Sequence, residues 1–298
     1  MGHSYVAITE QYQGKFASSL AHFERAWALY DPIQHHRVVR VIGNDVGVST
    51  LGYAAWNLWL LGWPDAALAR AEESVALAKR LDHPISQVVA LFFEASIHWL
   101  RRNHERQRAR AAEVVALSED QGLPLFLGVG RVLHGAARVV AGDPNALPEI
   151  MDGLARAAET GNQSAVPTGL AILAEAQQAA GQLVEAQGTV AMALTVAAQT
   201  GQPYFDADLH RLDGDLLLAG GGAANEAAAR YHRALAVARE QGARSFELRA
   251  ATSLARLLRD QDRPAEARAL LAPVYAWFTE GFDTGDLVEA KALLDELT

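Results

Sequence analysis

The sequence of 298 residues contains no cysteine, so it has no disulfide framework and no thiol chemistry, as expected for a protein of a reducing cytoplasm. It carries no excess of positive charge. The formal net charge is −9, which argues against general affinity for nucleic acid. Long apolar runs are missing as well. The best candidate for a membrane span, Val88–Leu100, is shorter than the ~18 residues required and contains Glu94 and His98. Composition therefore predicts a cytoplasmic protein without nucleic-acid or membrane partners.

Sequence signatures of catalysis are absent too. No G-x-x-x-x-G-K-[ST] loop, no H-E-x-x-H pair and no G-x-S-x-G elbow occurs. Gly128-Val129-Gly130 follows no predicted strand, which makes a dinucleotide-binding fold improbable. We therefore predict no catalytic residues, no cofactor, no metal site and no enzymatic activity.

What the chain does contain is a recurring pair of amphipathic helices, clearest in Ala251–Phe278. Leucines at helical spacing, among them Leu254 and Leu258, are followed by a polar turn. Pro264 then stands where a second helix would begin, a position at which proline leaves no hydrogen bond unmade. This stretch predicts a helix, a tight turn and an antiparallel helix.

The same pattern recurs along nearly the whole sequence. A small residue in the first helix precedes each turn by seven positions, and successive small residues are 48, 41, 39, 39, 40 and 41 apart. The small residues are Ala7, Ala55, Ser96, Gly135, Ala174, Gly214 and Ala255. The matching turns are Gly14, Gly62, Asn103, Gly142, Gly181, Gly221 and Asp262. A small side chain lets two helices approach closely, and glycine or asparagine suits a left-handed residue that ends a helix.

A period near 40 with two helices per unit is typical of an α-solenoid. The predicted fold is all-α, with about seven tetratricopeptide-like helix-turn-helix repeats forming a right-handed superhelix. We predict a single domain over 1–298 with a C-terminal capping helix at 284–298. The predicted units lie near 1–31, 32–83, 84–123, 124–166, 167–202, 203–242 and 243–281.

Several segments resemble a known family. They are Leu209–Leu218, Arg230–Gln241 and Ser245–Leu294, the last of which includes WFTEGFDT, together with Ala54–Gly62 and His83–Phe93. These segments resemble the tetratricopeptide-like C-terminal region of large bacterial signalling proteins. In those proteins a class III adenylate/guanylate cyclase domain and a P-loop signalling ATPase precede the repeats. The resemblance implies a sensor or regulatory tail and carries over none of the catalytic parts.

The concave face of such a solenoid is the expected binding surface. In tetratricopeptide repeats, this face is formed by positions of the first helix that lie close to the small residue. Applied to this sequence, it yields an apolar N-terminal half and a charged, largely basic C-terminal end. The candidate partner-binding residues are Trp56, Trp59, Arg101, Arg211, Asp215, Arg249, Arg256 and Arg259. An alternative stays open, in which longer helices rotate the register and the aromatic residues are ordinary inter-helix core.

The arginines of the last unit also have two interpretations. Arg249, Arg256 and Arg259 share one helix face, and could accept a carboxylate or an acidic peptide through bidentate hydrogen bonds. They could equally form salt bridges with nearby acids of the chain, for which the candidates are Glu247, Asp213, Asp215 and Asp260. The first interpretation requires arginines that the chain's own acids leave unneutralised.

The function predicted from the sequence is a non-enzymatic protein-interaction or regulatory scaffold, the sensor or regulatory tail of a larger bacterial signalling protein. Its partners would be a protein, a peptide, upstream domains of the same polypeptide or further copies of the chain. The alternative is a small-molecule sensor that binds an apolar ligand in a Trp-lined concave groove.

Overall fold

The computed structural model describes residues 2–35, 39, 43–164 and 166–297. Within these ranges the chain is all-helical and contains no strand. Two single 3₁₀ turns, Pro144–Ala146 and Pro203–Phe205, accompany the α-helices. The helices are α1 (Gly2–Tyr12), α2 (Phe16–Ala28), α3 (Pro32–His35), α4 (Val46–Leu60), α5 (Pro64–Leu81), α6 (Pro84–Leu100), α7 (His104–Gln121), α8 (Pro124–Val140), α9 (Leu147–Glu159), α10 (Val166–Ala179), α11 (Leu183–Thr200), α12 (Asp206–Ala219), α13 (Ala224–Gln241), α14 (Arg244–Asp260), α15 (Pro264–Tyr275) and α16 (Gly285–Glu296).

Successive helices pair into antiparallel hairpins, which we number one to seven along the described chain: α1/α2, α4/α5, α6/α7, α8/α9, α10/α11, α12/α13 and α14/α15. The prediction of a tetratricopeptide-like helical solenoid is confirmed. The first helices form the inner layer and the second helices the outer one. Helix α6 illustrates the difference, since 13 of its 17 residues are buried, against four of 18 in its outer partner α7.

Turn chemistry explains the hairpins. The backbone φ angle is positive at six of the seven predicted turn residues, from 58° at Asp262 to 95° at Gly142. The third prediction, Asn103, is wrong by one residue, because Arg102 has the positive φ of 59°. Asn103 instead caps α7, where its side chain accepts a hydrogen bond from the Arg106 N–H. Asparagine favours this capping position, so the left-handed residue moves one place earlier.

Small residues lie buried where inner helices pack. Ala7, Ala55, Ala174 and Ala255 are fully buried. A Cβ atom on Gly214 would lie 2.6 Å from the Tyr231 ring. The corrected third turn shifts the equivalent position of hairpin three from Ser96 to Ala95, and both residues are buried. At such buried positions a larger side chain should force neighbouring helices apart.

The solenoid turns back on itself, so that hairpins two and three contact hairpin seven and the C-terminal segment. The Ser245 hydroxyl donates to the Trp59 carbonyl, and the Arg249 guanidinium donates to the Leu100 carbonyl at 2.8 Å. Glu280 accepts from the backbone N–H groups of Asp65 and Ala66 at 2.9 and 3.0 Å, and so caps α5. The inner wall therefore surrounds a closed centre.

None of the described helices combines the length and the apolar character needed to cross a lipid bilayer.

Candidate functional site

The inner wall of the first five hairpins surrounds a cavity of about 850 Å³. Helices α1, α4, α6, α8 and α10, the first helices of five successive hairpins, contribute most of its lining. Residues of α9 and α11 complete it, together with Phe23 of α2, Asn44, Asn162, Ser164 and Tyr204. Tyr5 and Met192 line the cavity and are more than half exposed, so the cavity opens to solvent at this margin.

Ten aromatic side chains contribute to the lining, which is otherwise mostly aliphatic. On α6, the lining residues Val89, Phe92, Phe93, Ser96 and Trp99 follow the three- and four-residue spacing that places side chains on one helix face. The ring centroids of Phe93 and Tyr53 lie 4.7 Å apart in an edge-to-face contact, a favourable geometry for aromatic pairs. The aromatic lining residues are Tyr5, Tyr12, Phe23, Tyr53, Trp56, Phe92, Phe93, Trp99, Phe126 and Tyr204.

The polar groups of the lining are largely engaged with one another or with nearby backbone. Ser4 hydrogen-bonds Thr50 at 3.2 Å, and Ser96 donates to the Phe92 carbonyl at 2.8 Å. Thr168 hydrogen-bonds the hydroxyl of Tyr204. Burial raises the pKa of Tyr204 well above its usual value, so this hydroxyl stays neutral at physiological pH. The polar groups of the lining are therefore neutral and mostly paired, whereas the indole N–H of Trp56 is buried without a hydrogen-bond partner among the described residues.

Beneath the cavity, aromatic rings lead towards the centre of the superhelix. Trp99 stacks on Phe205 at 5.8 Å between ring centroids, and Phe205 contacts Phe246 at 5.1 Å. Phe246 meets Trp59 at 5.5 Å, and the Arg249 guanidinium lies 4.8 Å from the centre of the Trp59 ring. These residues, Trp99, Phe205, Phe246 and Trp59, form an aromatic column between the cavity and Arg249.

An ionic network follows the column. Arg249 pairs with Asp208 at 3.0 Å and with Asp286 at 2.9 Å, and Arg211 pairs with Asp208 and Asp215 at 2.5 Å each. Burial alone would raise the pKa of Asp208, but the two arginines outweigh it and lower this pKa below its usual value. Burial, together with the nearby Asp208, raises the pKa of Glu175, which accepts a hydrogen bond from the Trp99 indole at 3.1 Å.

The arginine face of α14 is occupied by the chain's own C-terminal helix. Besides the Arg249–Asp286 pair, Arg256 pairs with Glu289, and Arg259 pairs with Glu296 at 2.5 Å. The binding of an external carboxylate would require arginines that the chain's own acids leave unneutralised, and these three arginines are all paired. Most of the carboxylates come from α16, which the sequence did not indicate as a partner of α14. Asp260, one of the acids named from the sequence, does pair with Arg259 at 3.0 Å.

The predicted partner-binding residues thus separate into three places. Trp56 lines the cavity, whereas Trp59 belongs to the aromatic column. Arg211, Asp215 and Arg249 lie together in the ionic network. The remaining three bind the C-terminal segment: Arg101 through Asp283, Arg256 through Glu289 and Arg259 through Glu296.

Sequence reasoning missed most of the aromatic cavity lining. Tyr53, Phe92, Phe93 and Trp99 all line the cavity, and the last three share the helical spacing on α6 that could have identified them. The assumed tetratricopeptide positions lie too far towards the C-terminus of each first helix. The helices are longer than in the usual repeat of 34 residues, so the cavity lies about one turn earlier.

Comparisons with known proteins bear on the fold. No protein-family model matches the chain. A stretch of 216 residues, 72% of the chain, is 27% identical to an uncharacterized protein of Rhizobium meliloti (strain 1021). The match covers 21% of that protein, so the chain spans about a fifth of the length of this relative.

Solved structures of similar fold cover almost the whole chain. A Rap protein complexed with competence and sporulation factor superposes on 99% of this chain and 76% of its own, with a TM-score of 0.66 and 14% identity. The Rap conjugation gene regulator of plasmid pLS20, in complex with the Phr* peptide, covers 99% and 74%, with a TM-score of 0.65 and 10% identity. A tetratricopeptide repeat protein from Parabacteroides merdae ATCC 43184 covers 100% and 99%, with a TM-score of 0.50 and 13% identity. At these identities the similarity establishes the fold.

Proposed function

We propose that this chain is a non-enzymatic regulatory domain that acts by binding partners. The outer surface of the solenoid contacts other proteins or other parts of the same polypeptide, and the inner cavity receives the ligand that controls this contact. One observation carries the proposal. The cavity is lined by the first helices of five successive hairpins, so an occupant that fills it would contact all five. Binding there would favour one curvature of the superhelix over another, which is how a ligand shifts a conformational equilibrium.

Two further observations support this proposal. Two proteins of similar fold are described in complex with competence and sporulation factor and with the Phr* peptide. The relative from Rhizobium meliloti is about five times as long as the matched stretch. We therefore place the domain in a longer bacterial signalling protein, as the resemblance to the repeats that follow a cyclase domain and a signalling ATPase implies.

A second candidate function is a small-molecule sensor, and the size of the cavity favours it. Ligand sites in proteins typically enclose ~300–1,000 Å³ and are mostly apolar with a few polar groups. The cavity of about 850 Å³ falls within that range, and Trp56 and Trp99 stand in its wall.

Filling the cavity tests the proposal. Val129 is half-buried and lines the cavity from α8, so Val129→Trp should occupy part of the space. Val184→Trp is the matched control, because Val184 on α11 is 78% exposed and is not part of the lining. We would screen a panel of peptides and metabolites by thermal shift, since ligands that bind only the folded state raise the melting temperature. Compounds that stabilise the wild type and Val184→Trp should fail to stabilise Val129→Trp. Equal shifts in all three proteins would show that the cavity does not receive the ligand.

A further inference from the structure

We propose that the ligand of the cavity is an uncharged, hydrocarbon-rich small molecule with at most one or two polar groups, such as a long-chain alcohol, ester or isoprenoid. This inference rests on the proposed function in one respect, namely that the cavity receives a ligand. It goes further by naming the chemical class of that ligand.

The described cavity lining lacks charged side chains. Among the described residues that line the cavity there is no aspartate, glutamate, lysine, arginine or histidine, although 20% of the chain is Asp, Glu, Lys or Arg. Glu175 accepts a hydrogen bond from the indole N–H of the lining residue Trp99 but is not itself part of the lining. A charged ligand would lose its hydration without gaining a counter-charge, so a neutral ligand of the same size should bind more tightly.

The cavity lining also has few free hydrogen-bonding groups for a peptide backbone. Each residue of an extended peptide brings one N–H donor and one carbonyl acceptor that need partners when buried. The described lining has no matching row, because Ser4 and Thr50 hydrogen-bond each other, Ser96 bonds backbone, and Thr168 bonds Tyr204. The lining amides Gln11, Asn44 and Asn162 also bond neighbouring side chains, which leaves the indole N–H of Trp56 as a single buried donor without a partner among the described residues. A peptide backbone placed here would remain unsatisfied, whereas a hydrocarbon requires no such partners.

The deep wall has room for one polar group of the ligand. The hydroxyls of Tyr12 and Tyr53 lie 3.4 Å apart, and the rings of Tyr12 and Tyr204 are 5.1 Å apart. A phenol both donates and accepts, so this tyrosine cluster keeps capacity for one further hydrogen bond. Burial raises the pKa of Tyr53 far above its usual value, which keeps its hydroxyl neutral. The cluster suits a hydroxyl or carbonyl oxygen better than a carboxylate.

The neutral dye Nile red is a suitable first probe, since its fluorescence rises and shifts to the blue in apolar surroundings. We expect saturable binding of one dye per chain. Val129→Trp and Met192→Trp should weaken it about tenfold or more by filling space, and Val184→Trp should leave it unchanged. Met192 is 57% exposed at the cavity margin, so Met192→Trp tests the site even if Val129→Trp folds poorly.

Displacement of the dye tests the ligand class. At pH 8, 1-dodecanol should compete at least about tenfold better than dodecanoate, which has the same chain length but is charged. A capped, uncharged peptide of alternating leucine and alanine should compete more weakly than the alcohol.

The dye experiments distinguish a wrong ligand class from a cavity that binds no ligand at all. Dodecanoate or the peptide competing as well as dodecanol would overturn the neutral ligand and leave the cavity as a binding site. Absence of saturable dye binding, or equal binding by both cavity-filling variants, would overturn the cavity as a site, and the proposed function with it.

Discussion

Arg249 of α14 and Asp286 of α16 form an ion pair with a distance of 2.9 Å between Nε and Oδ2. The same guanidinium donates to the Leu100 carbonyl and to Asp208, so one side chain joins hairpins three, six and seven to the C-terminal helix. The side chain of Arg249 is only 9% exposed. The closure of the superhelix therefore depends on a buried cation surrounded by carboxylates.

Replacing Arg249 should open this closure. Arg249→Met keeps the apolar contact with Trp59 but leaves Asp208 and Asp286 without this cation. Removing one partner of a buried ion pair typically costs ~3–5 kcal/mol of unfolding free energy. The control Arg259→Met, whose side chain is 37% exposed in its pair with Glu296, should cost about 0–1 kcal/mol. Urea titration measures both, and equal losses would contradict the central role of Arg249.

Glu280 should matter as the cap of a distant helix. Its carboxylate accepts hydrogen bonds from the N–H groups of Asp65 and Ala66 at the start of α5. These backbone donors have no partner within the helix and would otherwise bond water. Glu280→Ala should cost about 1 kcal/mol, as loss of an N-terminal cap usually does. Hydrogen exchange should accelerate at residues 65 and 66. The exposed Glu266, which pairs only locally with Arg263, provides a control by Glu266→Ala. Unchanged exchange at α5 in the Glu280 variant would show that the cap contributes nothing.

Replacement by alanine should change the stability of the protein in opposite directions at Gly128 and at Gly188. A Cβ atom on Gly128 would lie 2.6 Å from the Gly153 carbonyl oxygen, a backbone atom that cannot move aside easily. Gly128→Ala should therefore cost ~1–3 kcal/mol through overpacking of α8 against α9. A Cβ atom on Gly188 of α11 would meet no described atom within 4 Å beyond its chain neighbours and the backbone of its own helix. Gly188→Ala should therefore stabilise the protein by ~0.5–1 kcal/mol through helix propensity. Melting temperatures that shift in the same direction would refute this packing.

Asp206 should make stability depend on pH. One of its carboxylate oxygens is buried without a hydrogen-bond partner, and burial, only partly opposed by Arg233, raises its pKa to about 6. Because the unfolded value is ~3.9, the folded state binds the proton more tightly, so this group's contribution to stability is full below pH ~4 and is lost as pH rises through 6.

Asp206→Asn mimics the protonated carboxyl group, so it should stabilise the protein at pH 8 by about 1 kcal/mol. This figure allows for the partial exposure of Asp206 to solvent. At pH 4 the substitution should have no effect on stability. Glu185→Gln, also in the first turn of a helix, controls for the loss of negative charge there. Thermal melts at both pH values provide the test. A gain that is the same at pH 4 and pH 8 would not come from titration of Asp206.

Local sequence was enough to predict the hairpins. A left-handed residue between two amphipathic stretches ends one helix and starts the next, so Gly14, Gly62, Gly142, Gly181 and Gly221 could be recognised without tertiary information. Even the error at Asn103 is local, since the residue serves as a cap rather than as the turn. The choice between core and groove for Trp56 and Trp59 could not be made in this way, because both lie on one face of α4.

The sequence by itself determined an array of helical hairpins, because turn geometry and close helix packing depend on residues that are near one another in the chain. Only the tertiary structure decided which hairpins meet across the superhelix, where the cavity lies and which carboxylates reach the arginines. Arg249 contacts Leu100 across 149 positions, and Glu280 contacts Asp65 across 215. Such contacts result from small rotations between successive hairpins, which add up along the solenoid until distant units touch. No single repeat encodes the total rotation, so the periodic pattern that predicts each hairpin cannot predict where the chain closes.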